Sequence, residues 1–468
     1  MNKKKIIAHI SGPIASALIA FVTLPILSSY YSIDVIGKYS FIQLLCNLLF
    51  VIFSLGLNQA YVREYFESEN RSGLLANMLY VPILLMAFFF LLMLPVNDFI
   101  IDWVFGEYNH ELGLYLVFSI LFYAVNQILL HVFRMEEKIY RYSSMLTLPK
   151  FIFVVSSIVM FYIPDGDGLM ILARAFLISQ IISLFASVYF SRIALRKSVK
   201  AGLDLTNLKK MLSFGFPLIF SSLGFWLLTG MDKFFIKELS TYEELGKYAI
   251  AANFTAVITI FSTVLLNVYN PKVYQWNANN ECIEKYTSVM YLVSFLCFCI
   301  WSLSGVFSWL IPITLPNEIN DTEIIFSVLI GGPIMKLLSE STKVGIGISR
   351  RSHLAVIPIL IAVIFNAILN YLFIPLYGAI GAACSSLVSF YILLIARTEI
   401  SSRCWSYFSR SNYYYLALLF MIISLMSIYF IKIEFGTAWY SFFWLVIFFI
   451  VVGACLNKCR KCLKVVLG

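Results

Sequence analysis

Lys336 and Glu340 stand four residues apart inside an otherwise apolar segment, a spacing that puts a cation and a carboxylate on one face of a helix. An ammonium in such surroundings is costly in hydrocarbon, so it points to a cavity that binds an anionic head group, with Glu340 tuning the site or taking up a proton. A structural ion pair tying two helices together would use the same two residues. Arg174 and Lys150 also fall inside apolar runs, each near enough to an end to extend its stem to the interface. Arg63-Glu64 and Asp232-Lys233 close apolar runs at opposite faces, as gates, as groups that couple to ions, or as self-paired helix ends. Asn58, Gln59 and Tyr61, with Asn267, Tyr269 and Asn270, supply amides and phenols. Such groups suit hydroxyl-rich ligands, which need many modest hydrogen bonds, and they serve equally well to join helices.

Other chemistries find no support. The four histidines (His9, His110, His131 and His353) are dispersed, without metal-ligand spacing, so no metal site is expected. Gly331-Gly332-Pro333 lies inside an apolar run and lacks the Lys-Ser/Thr of a phosphate loop, which removes the basis for ATP-driven work. Nine cysteines are scattered, and Cys459-Arg460-Lys461-Cys462 has no second pair beside it; reduced, incidental thiols are expected. Neither a catalytic constellation nor a resident cofactor is indicated, so an enzyme is not expected.

The elements that must position these residues are membrane helices. Hydrophobic residues make up 61% of the 468 positions and charged residues 13%, about half the charge of a soluble chain. Apolar runs of about 18 to 25 residues recur throughout, each able to cross about 30 Å of hydrocarbon. Fourteen are expected, from Ile6–Tyr30 to Trp439–Leu456, all helical because a bilayer offers the backbone no other partner. The first follows Lys3-Lys4-Lys5 and reads as a span rather than a signal peptide, being too long and lacking a cleavage site.

Charge fixes the orientation. With the N-terminus inside, 26 of the 34 Lys and Arg fall on cytoplasmic connections and five on the opposite side, as the positive-inside rule requires. Both termini are then cytoplasmic. The net charge of +9 is this topological bias and does not point to nucleic acid.

The chain also repeats itself at an offset of about 209 residues. Gly37-Lys38-Tyr39 returns as Gly246-Lys247-Tyr248, Leu57-Asn58 as Leu266-Asn267, Phe118-Ser119-Ile120 as Phe326-Ser327-Val328, and Tyr162-Ile163-Pro164 as Phe373-Ile374-Pro375. Six spans per copy is an even number, so both copies face the same way. The expected protein is all-α and polytopic, with two parallel six-helix bundles around a central cavity plus two C-terminal helices. Residues 1–192 form the first bundle, 193–210 a basic cytoplasmic linker, 211–397 the second bundle, and 398–468 two further spans and a basic tail. The connections are too short to hold a soluble catalytic domain.

Several stretches carry a resemblance. Phe214-Gly215-Phe216-Pro217, Asp232-Lys233 and Leu245-Gly246-Lys247-Tyr248 in the second half, and Ile36-Gly37-Lys38-Tyr39, Ser54-Leu55-Gly56-Leu57 and Tyr61-Val62-Arg63 in the first, resemble the Wzx-type polysaccharide flippases. So does the run from Asn370 through Phe373-Ile374-Pro375-Leu376-Tyr377-Gly378 to Ala383, which looks like a signature of their superfamily, the multidrug/oligosaccharidyl-lipid/polysaccharide exporters. The resemblance implies that undecaprenyl-diphosphate-linked oligosaccharide repeat units move from the cytoplasmic to the outer leaflet of a bacterial plasma membrane, by alternating access and without ATP. It also implies a cationic lumen for the diphosphate, an O antigen or capsule product, contact with membrane lipid, and work beside polysaccharide polymerase and assembly proteins. Coupling to a Na+ or H+ gradient is compatible with Glu340 or Asp232. The competing reading is a cation-coupled multidrug exporter of the same superfamily, for which a more acidic lumen is expected; a membrane-embedded polymerase would need larger outer loops.

Overall fold

Leu-, Ile- and Phe-rich runs without strand-like alternation must satisfy their backbone groups locally in a bilayer, and helices dominate the described residues. The computed structural model describes residues 3–93, 95, 97–106, 109–136, 138–163, 166–278, 282–313, 315, 321–349, 351–405, 410–432 and 436–467. Its first helices are α1 (Lys3–Ser28), α2 (Ile33–Phe53), α3 (Leu57–Glu64), α4 (Arg71–Met93), α5 (Asn97–Phe105), α6 (His110–Met135), α7 (Ile139–Phe161) and α8 (Gly168–Ala201). They are followed by α9 (Leu205–Leu239), α10 (Tyr242–Ala278), α11 (Cys282–Val306), α12 (Leu310–Ile313), α13 (Thr322–Leu329), α14 (Gly331–Thr342) and α15 (Val344–Ile348), then α16 (Val356–Cys404), α17 (Ser411–Lys432) and α18 (Gly436–Leu467).

Ten helical segments among the described residues are long and apolar enough to cross a membrane. One of them, α16, is two spans in sequence, because Gly378 (φ 54°, ψ −129°) breaks it. Counting both arms, and adding α1, α10 and α17, gives the fourteen spans expected from the apolar runs. The chain divides into two compact units, Met1–Trp226 and Leu227–Gly468, with the division inside α9.

In the first unit the apolar core gathers Leu57, Ala60 and Tyr61 of α3, Met78 of α4, Leu129 of α6 and Met211 of α9. The second span is not one helix: Leu55 (φ 48°) and Gly56 (φ 67°) turn left-handed and separate α2 from α3. Gly56 is required there twice over, since a Cβ on it would lie 2.2 Å from the carbonyl oxygen of Gly215 in α9. Two of the glycine motifs that carry the resemblance are thus the two sides of one backbone contact. Gly56→Ala is expected to destabilise the protein by more than the roughly 1–2 kcal/mol of a left-handed residue alone, because backbone must also move. Gly106 is the control: it is also left-handed (φ 72°), but nothing lies within 4 Å of a Cβ built on it. Thermal unfolding in detergent should therefore show a much larger loss for Gly56→Ala than for Gly106→Ala; equal losses would remove the close contact as the cause.

The basic stretch after Arg192 is the end of α8, a three-residue turn, and the start of α9. Asn77 of α4, fully buried, donates to the Asp204 carbonyl (2.9 Å) and accepts from the Asp204 N–H (3.0 Å), pinning the turn to the first unit. The Asp204 carboxylate caps α9 by accepting from the Asn207 N–H at 3.1 Å, and that bond holds it below the ordinary carboxylate range.

In the second unit α17 and α18 pack on α11. Phe298 stacks on Phe420 with centroids 4.5 Å apart, Trp301 lies 5.5 Å from the same ring, and Gly305 leaves room for Trp444. Ser424 of α17 donates to the Ser327 carbonyl of α13 at 2.7 Å. The two spans without a counterpart in the repeat are therefore integral to this unit.

Candidate functional site

Asp232 does not close α9. It lies seven residues before Leu239, about 10 Å along the helix, and is 1% exposed. Four neutral donors surround its carboxylate. Asn366 Nδ2 (3.1 Å) and Asn370 Nδ2 (2.8 Å) donate to Oδ1, while the hydroxyls of Tyr248 (2.6 Å) and Ser386 donate to Oδ2. Tyr248 comes from α10, the two amides from the first arm of α16 and the serine from its second arm. The gate expected at a helix end is thus a buried cage.

The break in α16 makes this convergence possible. Asn366 and Asn370, one turn apart, face α9 together, and Gly378 redirects the chain so that Ser386 returns to the same carboxylate. Glu244 caps the second arm by accepting from the Ala379 N–H at 2.9 Å, and a Cβ on Gly378 would meet that carboxylate at 2.5 Å. A Cβ on Gly381 would lie 2.4 Å from the Phe373 carbonyl oxygen, so the second arm starts in close backbone contact with the end of the first.

An ionised carboxylate offers about four acceptor positions, and this cage fills them. Hydroxyls can turn from donating to accepting, so Tyr248 and Ser386 could accommodate a proton or a small cation at Oδ2. Asn370 Oδ1 is buried without a donor among the described residues, an acceptor beside the carboxylate. Oxygens of this kind suit a hard monovalent cation or a proton. Among the described residues no group of three or more His, Cys, Asp and Glu could hold a metal ion. At the repeat offset the first unit has Thr23 in place of Asp232, so the carboxylate belongs to one copy only.

A second charged cluster lies on α14 and the second arm of α16. Glu340, 8% exposed, is held by Arg397 Nη1 at 2.8 Å and by Lys343. Arg397, 4% exposed, also donates to Ser339 Oγ at 3.1 Å, and its buried Nε has no acceptor among the described residues. Lys336 lies half-buried one turn before Glu340. Beyond this expected neighbour at i−4, the carboxylate is also held by Arg397, which the charge pattern had placed on a cytoplasmic connection, and by Lys343. The cluster has three cations for one carboxylate.

The remaining candidates are spread over the first unit. Arg174 pairs with Glu111 at 3.5 Å and lies over the Tyr115 ring at 5.6 Å, joining α8 to α6. Lys150 donates to the Ser16 carbonyl at 3.2 Å, joining α7 to α1. Tyr61 is a core residue set edge-on to Tyr65 at 5.4 Å. Asn58 is half-buried, and its Oδ1 meets no donor among the described residues, while Gln59 donates to Ser222 at 2.8 Å. Arg63 covers the Phe214 ring at 4.1 Å and stands 3.9 Å from Glu64, which also binds Lys210 at 2.5 Å. Lys233 is half-buried and is not among the partners of Asp232. The side chains of Asn267, Tyr269 and Asn270 lie outside the described residues.

Sequence reasoning missed Arg397, Tyr248, Asn366, Asn370 and Ser386 as site residues. Two asparagines at i, i+4 in an apolar run were the available signal, since an amide pair on one helix face in lipid needs a shared partner.

Comparison with known proteins adds to this geometry. The chain matches the family described as polysaccharide biosynthesis protein over residues 3–276. Protein 1 of the Lsg locus of Haemophilus influenzae is 24% identical over 314 residues, 66% of this chain and 74% of that one. The probable low-salt glycan biosynthesis flippase Agl15 of Haloferax volcanii is 28% identical over 193 residues, a match spanning 39% of this chain and 40% of that protein. Among solved structures, the lipid II flippase MurJ in an inward closed conformation superposes with a TM-score of 0.68 over 97% of this chain and 98% of its own, at 14% identity. An inward-facing multidrug resistance MATE family transporter of the MOP superfamily gives 0.56 over 92% and 96%, at 13% identity. The chain belongs to the polysaccharide biosynthesis protein family and has the fold of the MOP-superfamily transporters.

Proposed function

We propose that this protein is a flippase that moves undecaprenyl-diphosphate-linked oligosaccharide repeat units from the cytoplasmic to the outer leaflet, by alternating access, for O antigen or capsule synthesis. The observation that carries the reading is the excess of cations within the spans, Lys336, Lys343 and Arg397 around the single carboxylate Glu340, in a chain of this family. A diphosphate needs such a site, because passing it through hydrocarbon would leave each polar group unsatisfied at several kcal/mol. The flippase named among the relatives, which serves glycan biosynthesis, supports the same direction. Transport draws on a Na+ or H+ gradient through Asp232. The protein sits in a bacterial plasma membrane with both termini cytoplasmic, beside polymerase and assembly proteins that consume its product.

A cation-coupled drug exporter is the second reading, favoured by the MATE fold likeness and by the buried Asp232. Deleting the gene in its host separates the two. Loss of surface glycan with accumulation of lipid-linked repeat units supports the flippase. Unchanged surface glycan with new drug sensitivity would overturn it in favour of the exporter.

A further inference from the structure

Three spans of the second unit end around a cavity of about 810 Å³, framed by the first turns of α11 and α17 and the last turns of α18. Its volume is in the range of small-molecule sites, roughly 300–1,000 Å³. The lining has two characters. Thr287, Ser288 and Tyr291 of α11 and Lys458 of α18 make one wall polar, whereas Leu416 and Leu419 of α17 make another apolar. The Lys458 ammonium lies 4.4 Å from the centre of the Tyr291 ring. By the charge pattern all three ends are cytoplasmic, with Lys285, Arg410, Arg460 and Lys461 on the same side.

We propose that this cavity binds an anionic glycerophospholipid of the cytoplasmic leaflet, its phosphate on Lys458 and its upper acyl chains on Leu416 and Leu419. Charge selects the occupant: basic pockets between membrane helices at the cytoplasmic side recognise anionic head groups. A lysine over a ring face keeps its full charge and can still donate to a phosphate oxygen, and the hydroxyls of Thr287 and Ser288 suit the remaining oxygens. An amphipathic wall at this depth fits a molecule that is polar at the head group and apolar one turn deeper. The site has consequences for the rest of the unit through Tyr413. This wall residue donates to the Leu338 carbonyl at 2.8 Å and meets Ser341 Oγ at 3.1 Å, so a bound lipid braces α14, the helix of Glu340. The inference stands on its own whether the cargo is a glycan lipid or a drug.

The test is native mass spectrometry of the full chain in mild detergent, titrated with phosphatidylglycerol or phosphatidylethanolamine at equal concentrations. Wild type is expected to retain phosphatidylglycerol preferentially. Lys458→Glu should lower that retention about fivefold or more, the weight of one cation at a membrane surface. Lys458→Arg should keep it, and Lys461→Glu, an equal charge change at an exposed neighbour outside the lining, should leave it nearly unchanged. Equal retention of the two lipids by wild type overturns the proposal, as does equal loss in the Lys458→Glu and Lys461→Glu proteins. Retention of polyprenyl phosphate without either phospholipid also overturns it and gives the cavity to the cargo's tail.

Discussion

Asp232→Asn should leave the protein folded and reduce surface glycan to the level of the deletion strain. The cage explains both halves. Asparagine keeps one oxygen, and in the matching rotamer that oxygen still accepts from Asn366 and Asn370. The new NH2 then faces Tyr248 and Ser386, two hydroxyls that can rotate to accept from it. Stability should therefore change by no more than about 1 kcal/mol, the net weight of one ordinary hydrogen bond. What disappears is the charge, and with it the capacity to bind and release a proton or Na+. Asp232→Ala is a poorer test, because it strands four donors at about 1–3 kcal/mol each and would fail by unfolding. Surface glycan, protein abundance and thermal unfolding should be read together. Normal glycan from well-folded Asp232→Asn protein would show that the cage is structural. In reconstituted vesicles, a requirement for a Na+ gradient or for a pH gradient would then identify the ion.

The spans were legible because a bilayer imposes one length and one secondary structure on every crossing segment. What could not be read was the partner of each charge. Glu340 was assigned its neighbour at i−4, yet its buried partner, Arg397, lies 57 residues away on another helix. Asp232 was singled out by charge alone; its cage comes from positions 16, 134, 138 and 154 residues distant, and Tyr, Asn and Ser carry no spacing that announces a common target. Arg397 looked like a connection residue because it follows an apolar run, whereas α16 continues to Cys404 and buries it. The break at Leu55-Gly56 was hidden for a related reason: a left-handed pair within an apolar run leaves hydropathy unchanged.

Arg397→Ala should be the most destabilising single substitution in the charged cluster. It removes Nη1 from Glu340 and from Ser339, and leaves a carboxylate that is 8% exposed to Lys343, a partner whose side chain is 40% exposed, and to the half-buried Lys336 one turn earlier. Breaking a buried pair costs about 3–5 kcal/mol, most of it the desolvation of the charge left behind, and Lys343 should hold the loss to the lower part of that range. Arg397→Met with Glu340→Leu removes both charges and fills the space with apolar atoms, so most of the lost stability should return. Thermal unfolding of the single and double variants in detergent gives the coupling directly, and an Arg397→Ala protein as stable as wild type would show that the pair carries no net energy. Transport then separates structure from function. A stable double variant that restores surface glycan makes the cluster a brace between α14 and α16. A stable double variant that still accumulates lipid-linked repeat units makes the Arg397–Glu340 charges part of the path of the diphosphate, since packing would be repaired and only those charges would be missing.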